Sequence, residues 1–360
     1  MDDDKVYWVA LNKVPGVGPI LYGKLIAQFG GAKEVFFAPA ERLRRVEGVG
    51  EELAKRIEEG TFLEEGKREL MRARELGIEV ITIREERYPP NLRQIPDPPP
   101  LLYVKGNLAE RDALAVAVVG SRRCSPYGRA FARKISGELA SKGVTVVSGM
   151  ARGIDTEAHR GALEAGGRTI AVFGSGLDVI YPSENRWLFE EIWRNGAVIS
   201  EFPLSTPPER WNFPLRNRII SGLALGVVVV EASERSGALI TASMALEQGR
   251  SVFAVPGYAG AVTSRGTHRL IKEGAKLIEG AEDILEEVLP QYEGDKGETP
   301  PRDLTEEERE VLEALSVGPL QIDELSRKVG MEVQKVASLL LELELKGLVT
   351  QMPGKVFALA

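Results

Sequence analysis

Between residues 114 and 289, six apolar runs of three to six residues recur, each followed by a longer stretch with helical spacing. They are Leu114–Val119, Val144–Ser148, Thr169–Phe173, Ala197–Ile199, Val227–Val230 and Ser251–Val255. Short runs rich in valine and isoleucine are strand-sized, and the stretches between them are long enough for helices. Parallel strands need crossover connections, and helical crossovers cover both faces of the sheet they join. The alternation therefore predicts a doubly wound, Rossmann-like α/β domain over 114–289. Its ligand crevice is expected at the carboxyl ends of the strands.

The flanking segments have different patterns. Residues 1–85 hold two similar units, Val14-Pro15-Gly16-Val17-Gly18 and Val46-Glu47-Gly48-Val49-Gly50, each leading into a helical pattern. They read as the hairpin turns of a helix-hairpin-helix, SAM-like helical domain. Such turns can offer backbone amides to a phosphate. The pair can equally serve only to build the domain, and Glu51, Glu52, Glu58 and Glu59 after the second turn would repel phosphates. Residues 86–113, with Tyr88-Pro89-Pro90 and Pro96-Asp97-Pro98-Pro99-Pro100, read as an extended connector packed on the next domain.

A Gly-, Pro- and charge-rich linker at 290–303 precedes a tail at 304–360. Thr305, with Glu308 three residues on, marks a helix start. Ile322–Val329 and Val333–Leu345 follow as helices, then a hairpin of Leu348–Met352 and Lys355–Leu359 across Pro353-Gly354. This is a winged-helix pattern. The tail carries ten acidic against six basic residues, which favours a protein-contact or structural role over reading DNA.

Composition removes several classes of chemistry. The chain has 360 residues, 43% of them hydrophobic, and a net charge of −7. That charge argues against a protein coated with DNA over its whole surface but allows a local basic groove. No run reaches the length of a membrane span. Met1-Asp2-Asp3-Asp4 is acidic where a secretory signal is basic, so a cytoplasmic location is expected. The single cysteine, Cys124, and two histidines, His159 and His268, give no basis for an intrachain disulfide or a Cys/His metal centre.

The ends of the strands carry the candidate site. After the first comes Gly120-Ser121-Arg122, with Pro126 opening the next helix. This is the position of a phosphate-binding turn, yet neither GxGxxG nor GxxxxGK[ST] is present, so no nucleotide cofactor is expected. The second ends in Ser148-Gly149-Met150-Ala151-Arg152-Gly153-Ile154-Asp155, and the third in Gly174-Ser175-Gly176. Three strand ends thus present Gly and Ser to one crevice. Asp155 and His159, four residues apart, are expected to bond one another on a helix face.

The strongest cluster is Arg210-Trp211-Asn212-Phe213-Pro214-Leu215-Arg216-Asn217-Arg218. Cations interleaved with aromatics suit single-stranded nucleic acid: arginine neutralises phosphates and an aromatic ring stacks on a base. The bland alternative makes Trp211 and Phe213 core anchors and pairs the arginines with Glu201 and Glu231. Further on, Ser236-Gly237 opens a helix and, with Thr241, can meet a phosphate, and Glu231 is placed to orient an arginine. The expected DNA-contacting set is Gly120, Ser121, Arg122, Ser148, Gly149, Gly153, Gly174, Arg210, Phe213, Arg216, Asn217, Arg218, Ser236 and Gly237.

Taken in order, Val119-Gly120-Ser121-Arg122, Ser148-Gly149-x-Ala151-x-Gly153-Ile154-Asp155-x-x-Ala158-His159, Gly174-x-Gly176-x-Asp178-x-x-Tyr181-Pro182, Phe213-Pro214-x-Arg216-Asn217-Arg218 and Val255-Pro256-Gly257 resemble the DprA/Smf family. The resemblance implies a protein of natural transformation that binds and protects incoming single-stranded DNA and dimerises through its central domain. It also implies loading of RecA onto that DNA, including strands covered by single-strand-binding protein, with no covalent reaction of its own. The family's DNA contacts carry over to Arg122, Arg210, Phe213 and Asn217, while Arg216 and Arg218 match the motif and either serves the strand or the fold. Leu204-Ser205 departs from a customary Pro-Gly, His268 from Asn and Ser175 from Cys. Two other readings stand behind this one: a nucleotide hydrolase acting through Glu231 or Asp155, and a protein adaptor with incidental DNA affinity.

Overall fold

The computed structural model describes residues 3–291, 305–315, 318–345, 349–352 and 356–359. The chain opens with α1 (Asp3–Lys13), α2 (Pro19–Phe29), α3 (Ala32–Phe36), α4 (Ala40–Leu43), α5 (Glu51–Glu58) and α6 (Phe62–Glu75). The two hairpin glycines, Gly16 and Gly48, have φ of +98° and +96°, which a side chain would disfavour. The hairpins pack reciprocally. Leu53 of the second lies over Gly16, and Leu21 of the first lies over Gly48. That pairing favours the structural reading of the repeat.

A nine-stranded sheet follows, in the order β1-β2-β6-β5-β4-β3-β7-β8-β9. Its first edge is β1 (Glu79–Thr82), then α7 (Pro90–Arg93) and β2 (Leu101–Gly106). Next come β3 (Ala115–Val119), α8 (Pro126–Ser141), β4 (Thr145–Ser148), α9 (Ile154–Glu164), β5 (Thr169–Val172), α10 (Arg186–Asn195) and β6 (Ala197–Ser200). After these, α11 (Asn212–Leu223), β7 (Gly226–Val229), α12 (Gly237–Glu247), β8 (Ser251–Ala254), α13 (Arg265–Lys272), β9 (Lys276–Leu277) and α14 (Ala281–Val288) complete the unit. The strands from β6 to β9 are parallel.

The segment 86–113, expected as an extended connector, instead supplies α7 and β2. Strand β2 pairs antiparallel with both β1 and β6. The prolines that suggested a linker sit at the start of α7 and just before Leu101–Gly106, so they interrupt no ladder.

Alternate residues of β3 divide the core. Ala115, Ala117 and Val119 join α11 and α12 on one face, and Val116 and Val118 join α8, α9 and α14 on the other, as the pleat of a strand requires. The amino-terminal helices share a third cluster with Tyr103, Phe173, Phe189 and Val198. They belong to one compact unit with the sheet. Because β4 lies on one side of β3 and β7 on the other, the chain reverses its winding direction between β3 and β7. That is where an α/β sheet opens a crevice.

The carboxyl-terminal unit contains α15 (Glu306–Leu315), β10 (Leu320–Gln321), α16 (Ile322–Val329), α17 (Val333–Leu345), β11 (Val349–Met352) and β12 (Val356–Leu359). Its strands pair antiparallel in the order β10-β12-β11, giving the winged-helix arrangement. Thr305 and Glu308 form the expected reciprocal cap, with backbone-to-side-chain bonds of 2.8 and 3.2 Å. Residues 292–303 of the expected linker, and Pro353-Gly354 of the hairpin turn, lie outside the described residues. No described helix is long and apolar enough to cross a membrane.

Candidate nucleic-acid interface

The crevice is built on three strand-to-helix turns, after β3, β4 and β7, whose backbones touch. The amide of Ser121 donates to the Glu231 carbonyl (2.8 Å), and that of Ile154 donates to the Ser121 carbonyl (3.3 Å). Gly153, at φ +79°, could not carry a side chain, since its Cβ would lie 2.4 Å from the Ser121 carbonyl oxygen. Gly120 is similarly closed off by Ile154 at 2.6 Å. The Glu231 carboxylate accepts from the Ser125 amide (2.8 Å) and hydroxyl. Ser125 in turn caps α8 by accepting from the Gly128 amide at 3.0 Å. Glu231 thus locks the helix start; it does not orient an arginine, as the sequence suggested.

Under the crevice lies Arg216, 3% exposed. Its guanidinium donates to the carbonyls of Gly149 (2.8 Å) and Val172, and to Asn217 Oδ1 (3.2 Å). A Cβ at Gly149 would meet that guanidinium at 2.8 Å, so this glycine makes room for a buried cation. Burial lowers the Arg216 pKa to about 10, against the pull of Asp155. Asp155 accepts from the Ala151 amide (3.3 Å). Burial raises its carboxyl to about 6, with the charge of Arg216 opposing.

At the mouth, Phe213 in the first turn of α11 packs over Gly174, where a Cβ would come within 3.0 Å of the ring. Tyr181 approaches the same ring at 5.8 Å between centroids, tilted by 45°. The guanidinium of Arg122 lies 5.0 Å from the Phe213 centroid and that of Arg216 lies 5.8 Å away, within cation–π range. Arg122 and Arg210 are exposed. The ion pairs found among the described residues include neither of them.

The resulting cavity, about 800 Å³, is open to solvent and gathers Gly120, Ser121, Arg122, Arg210, Phe213, Arg216, Asn217, Ser236 and Gly237. Ser236 caps α12, accepting from the Ala238 amide at 3.3 Å. Gly149 joins a small recess beside it, lined by Tyr181 and Arg152. Gly153 and Gly174 act by letting Ser121 and Phe213 approach closely.

Two expected contacts are absent from the crevice. Ser148 is fully buried and its hydroxyl donates to the Val118 carbonyl at 2.6 Å, because the pleat turns it toward the neighbouring strand. Arg218 is 5% exposed and is held by Glu201 (2.6 Å) and Asp97 (3.0 Å), since its position on α11 faces the proline-rich turn. The expected Asp155–His159 bond is also replaced. His159 Nδ1 pairs with the Thr169 hydroxyl on β5 at 2.6 Å, and burial holds its ring near a pKa of about 3. Trp211, a candidate core anchor, is 66% exposed.

Sequence reasoning did not single out Tyr181 as a site residue, nor Ile240 on the crevice wall, whereas Thr241, expected beside Ser236-Gly237, does line it. The Tyr181-Pro182 pair was a visible signal, but only folding brings it to Phe213. The Leu204-Ser205 departure also has a structural role. Ser205, at φ +63°, is held by Asp178 through its amide (2.6 Å) and hydroxyl (3.2 Å). Arg72 of α6 donates to both Ser205 Oγ (2.9 Å) and Asp178 (2.7 Å).

Comparison with known proteins agrees with this architecture. The sequence profile for DNA recombination-mediator protein A matches residues 79–289, and that for the DprA winged helix domain matches 296–355. Protein Smf of Synechocystis is 36% identical over 98% of both chains. Protein Smf of Escherichia coli is 44% identical over 76% of each. The crystal structure of DNA processing protein A from Streptococcus pneumoniae is similar over 79% of this chain and 98% of its own, with a TM-score of 0.70 and 37% identity. DNA processing protein A from Helicobacter pylori, whose structure is described in terms of its single-stranded DNA binding mode, covers 60% of this chain and 97% of its own. Its TM-score is 0.54 and its identity 30%. With a family profile spanning the whole sheet and a relative aligned over nearly its full length, this chain belongs to the DprA/Smf family of DNA-processing proteins.

Proposed function

We propose that the crevice between β3 and β7 binds single-stranded DNA and that the protein hands the strand to a recombination partner without making or breaking covalent bonds. The observation that carries this reading is the exposed Arg122 guanidinium 5.0 Å from the face of Phe213, beside Arg210 in an open crevice. A phosphate meets the arginines and an unpaired base meets the ring, which a duplex could not reach. Stacking selects single strands and backbone contact gives little sequence preference. Both carboxylates considered for hydrolysis have structural partners: Glu231 binds Ser125 and Asp155 binds the Ala151 amide.

Family membership supports the further steps of this reading: RecA as the recipient, single-strand-binding protein as the displaced partner, a homodimer joining two crevices, and service in natural transformation. The test is fluorescence-anisotropy titration of labelled oligo-dT and a matched duplex across a salt series, followed by a RecA-loading assay. Phe213→Ala is expected to lose about 1–3 kcal/mol per stacked base. Arg122→Ala is expected to reduce the salt slope by about 0.7. Binding indifferent to both substitutions would remove the reading.

The hydrolase reading keeps one observation in its favour, the Asp155 carboxyl at about 6 on the crevice wall. Release of base from nucleoside monophosphates, abolished by Asp155→Asn, would reverse the order of the two.

A further inference from the structure

At the other end of the parallel strands lies a second cavity, of about 640 Å³, whose walls include Tyr88, Pro89, Pro90, Leu108, Leu223 and Leu225. Ala113, Leu225 and Arg250, which also line it, stand just before β3, β7 and β8. The length of a strand, about 15 Å at the usual rise, therefore separates this cavity from the crevice.

Two of its arginines, half-buried Arg250 and exposed Arg93, have no carboxylate partner among the described ion pairs. Arg250 is half-buried and donates from Nη2 to the Asn91 carbonyl (2.9 Å), while its Nε is buried with no acceptor among the described residues. Arg93 donates to the carbonyls of Glu85 (2.6 Å) and Tyr88 (3.4 Å), and its guanidinium lies 5.7 Å from the Tyr88 centroid. The ion pairs found among the described residues include neither arginine, although Arg87 beside them is paired with Glu79. Asp112 on the same wall is committed to Arg168 (2.8 Å), Thr145 (2.9 Å) and the Ala109 amide (2.8 Å). Glu86 and Glu110 are exposed at the rim.

Desolvation without a counter-ion disfavours a charged guanidinium, and it pulls the Arg250 pKa down. A guanidinium matches a carboxylate in shape and charge. The cavity has the volume of a small-molecule site, with an apolar side formed by Pro89, Leu108, Leu223 and Leu225 facing a polar side that includes Arg93 and Arg250. We propose that it binds a small carboxylate with a flat apolar body, the head on Arg250 and Arg93 and the body against Pro89, Leu223 and Leu225.

The test is a ¹⁹F NMR titration of the full-length protein with 4-(trifluoromethyl)benzoate, using 4-(trifluoromethyl)benzyl alcohol as the neutral control. Saturable binding of the benzoate is expected, with the alcohol at least about tenfold weaker for want of the charge-assisted bond. Arg250→Gln and the cavity-filling Leu108→Trp should each weaken the benzoate by about tenfold or more. Arg122→Ala and Phe213→Ala, in the crevice, should leave it unchanged. Leu108 is half-buried, so its replacement reports on the cavity even if Arg250→Gln does not fold. No saturation up to about 10 mM, equal binding of the alcohol, undiminished binding by folded Leu108→Trp, or loss on Arg122→Ala would each overturn the proposal.

Discussion

Arg218 matches a motif expected to touch DNA, yet the structure gives it a different task, and the two roles differ measurably. Its guanidinium bonds Glu201 at 2.6 Å and Asp97 at 3.0 Å, with side-chain exposures of 6%, 11% and 33%. Replacing Arg218 by Met keeps the apolar volume but leaves the Glu201 carboxylate buried and unpaired. Breaking one side of a buried ion pair costs about 3–5 kcal/mol, a large part of a typical total of about 5–15 kcal/mol. The penalty should depend on pH. Burial already raises the Glu201 pKa and Arg218 is the chief cause opposing it, so the Met variant raises it further. A raised carboxyl pKa gives the folded state extra stability below the unfolded value, and that stability is lost as pH rises through the folded value. Arg218→Met should therefore be less destabilised near about pH 5 than near about pH 8, by about 1.4 kcal/mol for each unit of added shift. Adding Glu201→Gln removes the stranded charge and should recover most of the loss. Urea unfolding followed by tryptophan fluorescence measures each variant, and anisotropy with oligo-dT measures its salt slope. A stable Arg218→Met protein whose salt slope has fallen would refute the assignment.

The other predictions concern the crevice. Asp155, titrating at about 6 on its wall, is negative at neutral pH, so oligo-dT affinity should rise as pH falls through that value. Asp155→Asn should flatten this dependence in an anisotropy titration, and an unchanged profile would clear Asp155 of the effect. Gly149→Ala puts a methyl 2.8 Å from the Arg216 guanidinium. It should cost about 1–3 kcal/mol in urea and weaken DNA binding by disturbing the support of Phe213. Glu231→Ala, which removes the acceptor for Ser125, should lower stability by about 1–3 kcal/mol without altering the salt slope of the folded fraction.

The central sheet was legible because each of its six longer parallel strands is a self-contained apolar run: Ala197–Ser200 and Ser251–Ala254, for example, fall where valine, isoleucine and phenylalanine cluster. Strand β2 was hidden by the prolines on its amino-terminal side, and two-residue β9 is too short to leave a pattern. The position of the crevice followed from glycines at strand ends, but side-chain direction did not. Ser148 is the last residue of β4 and Ser121 lies two beyond β3, so one hydroxyl is spent on Val118 inside the sheet and the other accepts from the Arg123 amide in the turn. His159 found Thr169 on a strand rather than Asp155 on its own helix, because local spacing says nothing of what a sheet brings alongside. Arg216 and Arg218, two residues apart on α11, diverge for the same reason: one reaches Gly149 and the other Glu201.

The shared core of the amino-terminal helices and the sheet has a consequence for how the protein comes apart. Leu25, Leu43 and Ile57 belong to the same buried cluster as Tyr103, Phe173 and Phe189. Lys13, Glu69 and the Leu204 amide continue that continuity in hydrogen bonds of 3.0 and 2.6 Å. Residues 3–291 should therefore melt in one cooperative step, and amide exchange in α1 and α6 should report the same opening free energy as the central strands. A truncation that begins at β1 would leave Tyr103 and Phe189 facing water, and aggregation of such a fragment would reflect that exposed face.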